Sequence, residues 1–420
     1  MNSASQNKNL FFNTIIPGDW EVKALEKLGD FSKGKGISKA QLSSGGHPCV
    51  RYGELYTTHD FIINEFKSFI TESVSKESKE IKNGDILFAG SGETIDEIGK
   101  SAAYLGNEKA FAGGDIIILS PKNGINSECL SYALETDFVR KQKRKHGQGQ
   151  QVVHIYPSDL SKIKVIIPPL PEQHAIAACL STWDKAITAT QKLIEQKRLK
   201  KKWLMQNLLT GKKRLKGFEK TIWKKQPLNN FIKLISREVD KPNKPYLGIG
   251  IRSHGKGTFL KPNEQPEKNN MDKFYVVRQN DLIVNITFAW EQAIAIVKQE
   301  DDGALASHRF PTFTFIYKKG HPDFFRFFIL QPRMKYMLQL ISPGGAGRNR
   351  VMNKTDFIKL EFILPDYKEQ TAIAQILQTA DKEIELLQSK LEKLRKQKKG
   401  LMQVLLTGKK RLNYYNQKHG

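Results

Sequence analysis

Late in the chain the apolar positions fall at Ile373, Leu377, Ala380, Ile384, Leu387, Leu391, Leu394, Leu401 and Leu405, with Lys398 in the one polar slot. The spacings alternate between four and three, so an apolar seam recurs every seven residues and predicts a long helix that pairs as a coiled coil. The same register runs earlier through Ile176, Leu180, Trp183, Ile187, Thr190, Ile194, Lys197, Lys201, Leu204 and Leu208. Thr190, Lys197 and Lys201 interrupt that seam, so the pairing is expected to be imperfect or confined to part of its length. Both segments open on Glu-Gln, in Pro171-Glu172-Gln173 and Lys368-Glu369-Gln370. Both close in the same words, Leu208-Leu209-Thr210-Gly211-Lys212-Lys213-Arg214-Leu215 and Leu405-Leu406-Thr407-Gly408-Lys409-Lys410-Arg411-Leu412. Pro171 suits a helix start, and Gly211 and Gly408 stand where a left-handed C-terminal cap is expected. A gap-free match over the full length marks an internal repeat.

The stretches before each helix follow one plan in outline. Gly84-Asp85 leads into Ile86-Leu87-Phe88, and Gly113-Gly114-Asp115 into Ile116-Ile117-Ile118-Leu119, which predicts turns followed by short buried strands. Cys129 to Gln142 reads as a helix, followed by a basic, glycine-containing loop from Arg140 to Gln150 and a strand at Val165-Ile166-Ile167. The second half repeats the order. Asn280-Asp281 leads into Leu282-Ile283-Val284, a strand covers 313–316, and a helix runs over 323–340, broken near Pro332. A second basic loop, Pro343-Gly344-Gly345-Ala346-Gly347-Arg348-Asn349-Arg350, precedes the strand Phe362-Ile363-Leu364. Two equivalent frames with divergent inserts imply two sites of one kind and different specificity.

At 420 residues the chain can hold two or three domains with their own cores. A net charge of +25 points to a polyanionic partner, nucleic acid ahead of an acidic membrane. No stretch is apolar for long enough to span a bilayer, and residues 1–16 lack the pattern of a secretory signal. Cys49, Cys129 and Cys179 follow no disulfide or metal spacing, which suits a reducing cytoplasm.

Catalytic motifs are lacking. Gly99-Lys100-Ser101 resembles the end of a phosphate-binding loop, but Thr94 stands where its first glycine would be. The nine histidines include no pair at helical metal-ligand spacing. His308-Arg309 reads more readily as a polar contact than as an active-site fragment, and the Asn-Pro-Pro-aromatic and Asp-Pro-Pro-aromatic signatures of amino-methyltransferases are absent. Nucleic-acid contact has better support, because phosphates call for Lys and Arg, and base edges for Arg, Asn, Gln or His on loops or helices. The candidates are Arg140, Lys141, Lys143, Arg144, Lys145, His146, Gln148 and Gln150 in the first half. In the second they are Arg252, His254, Arg348, Asn349, Arg350 and Lys354, with Trp290 suited either to a core or to a base. The lysines of the long helices read equally well as a solvated flank.

Two globular segments, each followed by a helix that opens near Pro-x-x-Glu-Gln and closes in Leu-Leu-Thr-Gly-Lys, resemble the specificity subunit of type I restriction-modification systems. The resemblance covers essentially the whole chain. The second copy departs from it slightly, with Asp366-Tyr367 replacing the tight Pro-Leu-Pro-Glu-Gln. It implies an α+β fold: two mixed α/β target-recognition domains separated by two long helices that pair as an antiparallel coiled coil, in a pseudo-twofold internal repeat. The expected segments are an arm over 1–16, recognition domains over 17–170 and 216–367, helices over 171–215 and 368–412, and a tail over 413–420. The implied role is non-catalytic: reading a bipartite double-stranded DNA target in the cytoplasm while holding two modification subunits and, for cleavage, restriction subunits. No cofactor is expected on this chain, and S-adenosylmethionine, ATP and Mg²⁺ belong to the other subunits. Two readings compete: a stand-alone coiled-coil architectural DNA binder, and an enzyme with unrecognised catalytic residues.

Overall fold

The computed structural model describes residues 9–11, 14–149, 151–344 and 350–412. The chain divides into two compact units, Met1–Gln191 with Lys390–Gly420, and Lys192–Ser389. The division falls inside the two long helices, Leu170–Leu208 and Tyr367–Leu405. Each unit therefore contains one globular domain, the start of one long helix and the end of the other.

In the first unit, Gly29–Lys33, Ile116–Pro121, Ile86–Ala89, Ser101–Tyr104 and Ile62–Ile63 form a five-stranded sheet in that order. Ile86, Phe88, Ile117 and Leu119 pack on one face, while Leu87, Ala89, Ile116 and Ile118 pack on the other. With both faces covered, these strands are apolar throughout instead of alternating. The second unit repeats the order with Ile232–Ile235, Thr312–Phe315, Leu282–Val284 and Ile294–Ile296. A second sheet in each unit shares a three-strand centre. His47–Val50 runs parallel to Ala110–Ala112, which pairs antiparallel with Lys79–Ile81. In the other unit, Tyr246–Ile251, Leu305–Ala306 and Lys273–Val276 make the same arrangement. Divergence is concentrated at the edges of this sheet, where Ser68–Ile70 and Leu42–Ser43 occur in one unit, and Thr258–Glu264 and Glu238–Asp240 in the other.

Three expectations need correction. Of the arm expected over 1–16, residues 1–8, 12 and 13 lie outside the described residues, but Asn9–Phe11 pairs with Thr14–Ile16 and Ile16 is buried beside Trp20 and Met402, so its described end belongs to a core. The single helix expected over 129–142 is two, Ser127–Ala133 and Asp137–His146. At the break the Glu135 carboxylate accepts from Ser101 and from Lys143, 2.8 Å away, which a continuous helix would not provide. Arg140 to His146 is accordingly helix and not loop. In the second unit the expected break does occur, between Pro322–Phe328 and Pro332–Leu340, where Pro332 opens a new helix.

The long helices pair antiparallel within each unit. In the first unit Ile176, Ala177 and Leu180 pack with Met402, Leu405 and Leu406. In the second, Leu208 and Leu209 pack with Ile373, Ala374 and Leu377. The polar slots in the seams are filled by ion pairs. Lys398 meets Asp184, with its ammonium 3.6 Å from the Phe61 ring centroid, and its repeat equivalent Lys201 meets Asp381. Lys197 pairs with Glu383, and Thr190 turns its hydroxyl back onto the Ala186 carbonyl. The two lysine irregularities are thus satisfied across the helix pair, and the threonine within its own helix.

The ends are fastened by a clasp that occurs twice. Glu172, fully buried, accepts from the Trp20 indole at 3.0 Å and from Arg411 at 3.1 and 2.7 Å. Glu369, also buried, accepts from the Trp223 indole at 2.9 Å and from Arg214 at 2.8 and 2.6 Å. The neighbouring glutamines fix the domains. Gln173 accepts from the Asn126 amide and donates to the Pro168 carbonyl, and Gln370 does the same with His321 and Pro365. Gly211 and Gly408 have φ of 69° and 70°, and a Cβ on Gly408 would lie 2.3 Å from Pro17 Cδ. That backbone and that approach both require glycine.

Arg411→Ala should leave a carboxylate buried with only an indole for company and lower stability by about 3 kcal/mol. Arg395→Ala, which removes an exposed pair with Glu392, should cost less than about 1 kcal/mol. Urea denaturation of the full chain compares them, and equal midpoints would contradict the clasp. Arg411 also holds the Asp19 carboxyl below its usual range. A depressed carboxyl contributes stability that is present above its unfolded value and lost as pH falls through its folded one. Arg411→Ala should therefore flatten the acid side of the stability profile.

Candidate nucleic-acid interface

The same backbone ladder underlies a candidate site in each unit. In the first, the Gly90 amide donates to the Asp115 carbonyl at 2.8 Å, and the Ile155 amide donates to the Gly90 carbonyl at 3.0 Å. In the second, Ile286 donates to Arg309 at 3.0 Å and Met352 to Ile286 at 2.9 Å. Each ladder extends past the end of a central sheet strand, Ile86–Ala89 or Leu282–Val284. Around it gather the loop after that strand, a turn between two strands, and the segment following a helix. The second basic loop singled out by sequence and the end of the first, from Gly147, belong to those following segments. Their scaffold is shared, while the side chains on it differ completely, Asp115 standing where the other unit has Arg309.

In the first unit the candidates lie on and after the helix Asp137–His146. Val139 and Lys143 form its inner face. Lys143 is buried, donating to the Gly99 carbonyl and to Glu135, both at 2.8 Å, and desolvation lowers its pKa. It is a structural residue, and its expected place among the DNA contacts is corrected here. Arg140 leans towards Glu135 at 3.9 Å, Arg144 pairs with Asp96 at 2.9 Å, and His146 lies 3.6 Å from Asp159. Lys141 and Lys145 are exposed and have no ion pair among the described residues. Gln148 forms a backbone bridge with His154 and leaves its side chain exposed, and Gln150 lies outside the described residues.

In the second unit two distant segments meet on residues 286–292. His254, at φ 62°, donates its amide to the Glu291 carbonyl at 2.7 Å, and Ser253 donates to the Glu291 carboxylate at 2.6 Å. Arg252 donates to the Thr258 carbonyl and lies 4.9 Å from the Phe259 ring. From the other side the Arg350 guanidinium stacks over Trp290 at 5.3 Å and donates to the Gly344 carbonyl. Trp290 is thus half-buried beneath an arginine, neither fully in the core nor free. Lys354 is exposed on the first turn of Lys354–Lys359, which Asn353 caps. Arg348 and Asn349 lie outside the described residues.

Sequence reasoning weighed Arg309 only together with His308, as a polar contact or an active-site fragment, and not as a DNA contact. It is exposed next to His308, donates to the Thr287 hydroxyl at 3.2 Å, and borders a cleft of about 290 Å³ lined by Tyr246, Phe274, Asn269 and Ser307. Backbone pairing with Ile286 and the bond to Thr287 set Arg309 against the segment that also carries Trp290, a placement that depends on tertiary structure. Arg252, Arg309, Arg350 and Lys354 make no ion pair among the described residues, so this surface presents uncompensated positive charge with planar donors. Such a surface suits phosphates and base edges.

Among the described residues no group of three or more His, Cys, Asp or Glu is placed to hold a metal ion, and no helix is long and apolar enough to cross a membrane. The family model described as the type I restriction modification DNA specificity domain matches residues 17–197 and 223–396. The putative type I restriction enzyme MjaX specificity subunit of Methanocaldococcus jannaschii is 29% identical over 94% of this chain and 95% of its own length. The MjaVIII specificity subunit of the same organism is 26% identical over 96% and 95%. The crystal structure of the type I restriction-modification S subunit from M. genitalium shares the fold at a TM-score of 0.55, with 15% identity, 96% of this chain and 98% of that one covered. Two matches to one domain family, falling on two units of one topology, account for the repeat, and the chain belongs to the type I restriction-modification DNA specificity family as a specificity subunit.

Proposed function

We propose that each unit reads one half of a bipartite duplex target, and that the repeated helices carry two modification subunits, with restriction subunits joining for cleavage. The recurrence of one backbone ladder with two unrelated sets of side chains is the observation that carries this reading. A shared scaffold gives equivalent placement on DNA, and different side chains give different half-sites. The chain itself performs no chemistry. S-adenosylmethionine, ATP and Mg²⁺ act on the other subunits, and the complex works in the cytoplasm. The stand-alone architectural reading finds no support in the relatives, which are named as subunits of restriction enzymes.

Mapping methylated adenines in host DNA by single-molecule sequencing tests the reading, which requires a two-part motif with an unread spacer. Arg309→Ala and Arg350→Ala should alter one half of that motif only. If either arginine meets a base edge, discrimination at one position should fall by about 1–3 kcal/mol. If it meets a phosphate, affinity should fall for all sequences and the salt slope should drop by about one. An unchanged motif, affinity and slope in both variants would remove this face from the interface.

The first unit allows a cleaner contrast within one helix. Lys141→Ala and Lys145→Ala should each weaken DNA binding and reduce its salt dependence while the thermal midpoint stays put. Lys143→Met should do the reverse, lowering the midpoint because Glu135 loses its nearest cation, while the salt slope holds. Binding titrations at several salt concentrations, alongside thermal melts, would show whether the roles are assigned the wrong way round.

A further inference from the structure

The repeat is broken on the outer face of the long helices. The alignment that places Gly211 on Gly408 also places Leu199 on Lys396 and Trp203 on Gly400. Leu199 and Trp203 are one helical turn apart and share a face, with relative exposures of 59% and 46%. Ile194 and Leu208 are buried on the inner face, and Lys197 and Lys201 reach Glu383 and Asp381, so this pair faces away from the partner helix. The Lys213 ammonium lies 4.8 Å from the Trp203 ring, which joins the patch to the Thr-Gly-Lys-Lys-Arg-Leu tail shared by both copies. Lys200 and Lys202 are exposed beside it.

We infer that the two modification-subunit sites on this chain are unequal, and that the copy bearing Leu199 and Trp203 binds its subunit more tightly than the copy bearing Lys396 and Gly400. This rests on the proposal that the repeated helices carry two such subunits. A frame whose ends are shared while the domains diverged presents related surfaces twice, and one kind of partner fits both presentations. An exposed Trp beside a Leu is the type of anchor that dominates an interface when a partner pocket closes over it. The surrounding lysines call for an acidic rim on that pocket. At the equivalent place the same partner meets a lysine and a bare backbone, with the tail lysine Lys410 exposed and no ring beside it among the described residues. Assembly then proceeds in order, the Trp203 copy filling first.

The test is a titration of the full-length chain with the purified modification subunit of the same system, followed by native mass spectrometry. The wild type should show a first association about tenfold or more tighter than the second. Exchanging Leu199→Lys with Trp203→Gly should weaken the first step to the level of the second. Installing Lys396→Leu with Gly400→Trp should strengthen the second by a similar factor. A Cβ at Gly400 meets nothing within 4 Å, so the tryptophan can be accommodated, and Gly400→Ala controls for the gain in helix propensity. A photo-crosslinking residue at exposed Lys202 should capture the subunit in the one-to-one complex, and one at the equivalent Lys399 should not. Unchanged ratios in both exchanges, or capture at Lys399 first, would overturn the inference. So would a loss of duplex DNA affinity in the Leu199→Lys, Trp203→Gly chain without modification subunits, which would make the patch a DNA contact. If no modification subunit binds the wild type at all, the underlying assembly proposal fails, and the inference with it.

Discussion

Glu172 and Glu369 are carboxylates removed from water, and each is tolerable only because an indole and a guanidinium are aimed at it. The guanidinium comes from the tail of the other long helix. Each clasp thus depends on residues at opposite ends of a helix repeat, and neither helix can complete its own. A buried charge with its partners in place is tolerated, whereas one stripped of them is strongly unfavourable. The antiparallel arrangement within each unit and the seating of the domain's first strand region follow from satisfying that one group. The tryptophan belongs to the segment entering the domain, so domain and helix pair are fixed together.

The positions that the two helix repeats share at their ends follow from this constraint. Glu serves the clasp and Gln the adjoining backbone. Gly adopts the left-handed turn that sends the tail to the partner, and Arg closes the contact. The lysines that seemed to spoil the seam obey the same logic, since Lys201 and Lys398 occupy equivalent slots and meet the equivalent acids Asp381 and Asp184. Such pairs favour one register over its neighbours, most of all at Lys398, whose buried ammonium a shift would leave without its acid. Outer positions are free of that demand, and there the copies differ as widely as Trp203 and Gly400.

The domains show the converse. Their cores need only apolar residues of suitable volume in the same strand order, so sequence similarity between them has faded while topology persists. Around each ladder the backbone supplies position and the side chains supply identity. A surface with Arg309, Arg350 and Arg252 on one scaffold, and with Asp115, Lys141 and Lys145 on the other, offers two different patterns of donors to the same kind of ligand.

Periodicity, glycines and repetition within the sequence were enough to give the long helices, their caps, the buried strands at Ile86 and Leu282, the duplication and the family, because each depends on near neighbours along the chain. The lack of a catalytic motif and the excess of positive charge were legible for the same reason. What tertiary structure alone decided is which residues meet. Glu172 and Arg411 stand at opposite ends of the repeat, Arg309 meets Ile286 and Thr287 only through tertiary pairing, and Lys143 differs from Lys145 only in the face of the helix it occupies. A basic run spells out charge, but burial depends on what packs against it, and the Glu135 that claims Lys143 is placed by a helix break that local periodicity runs straight through.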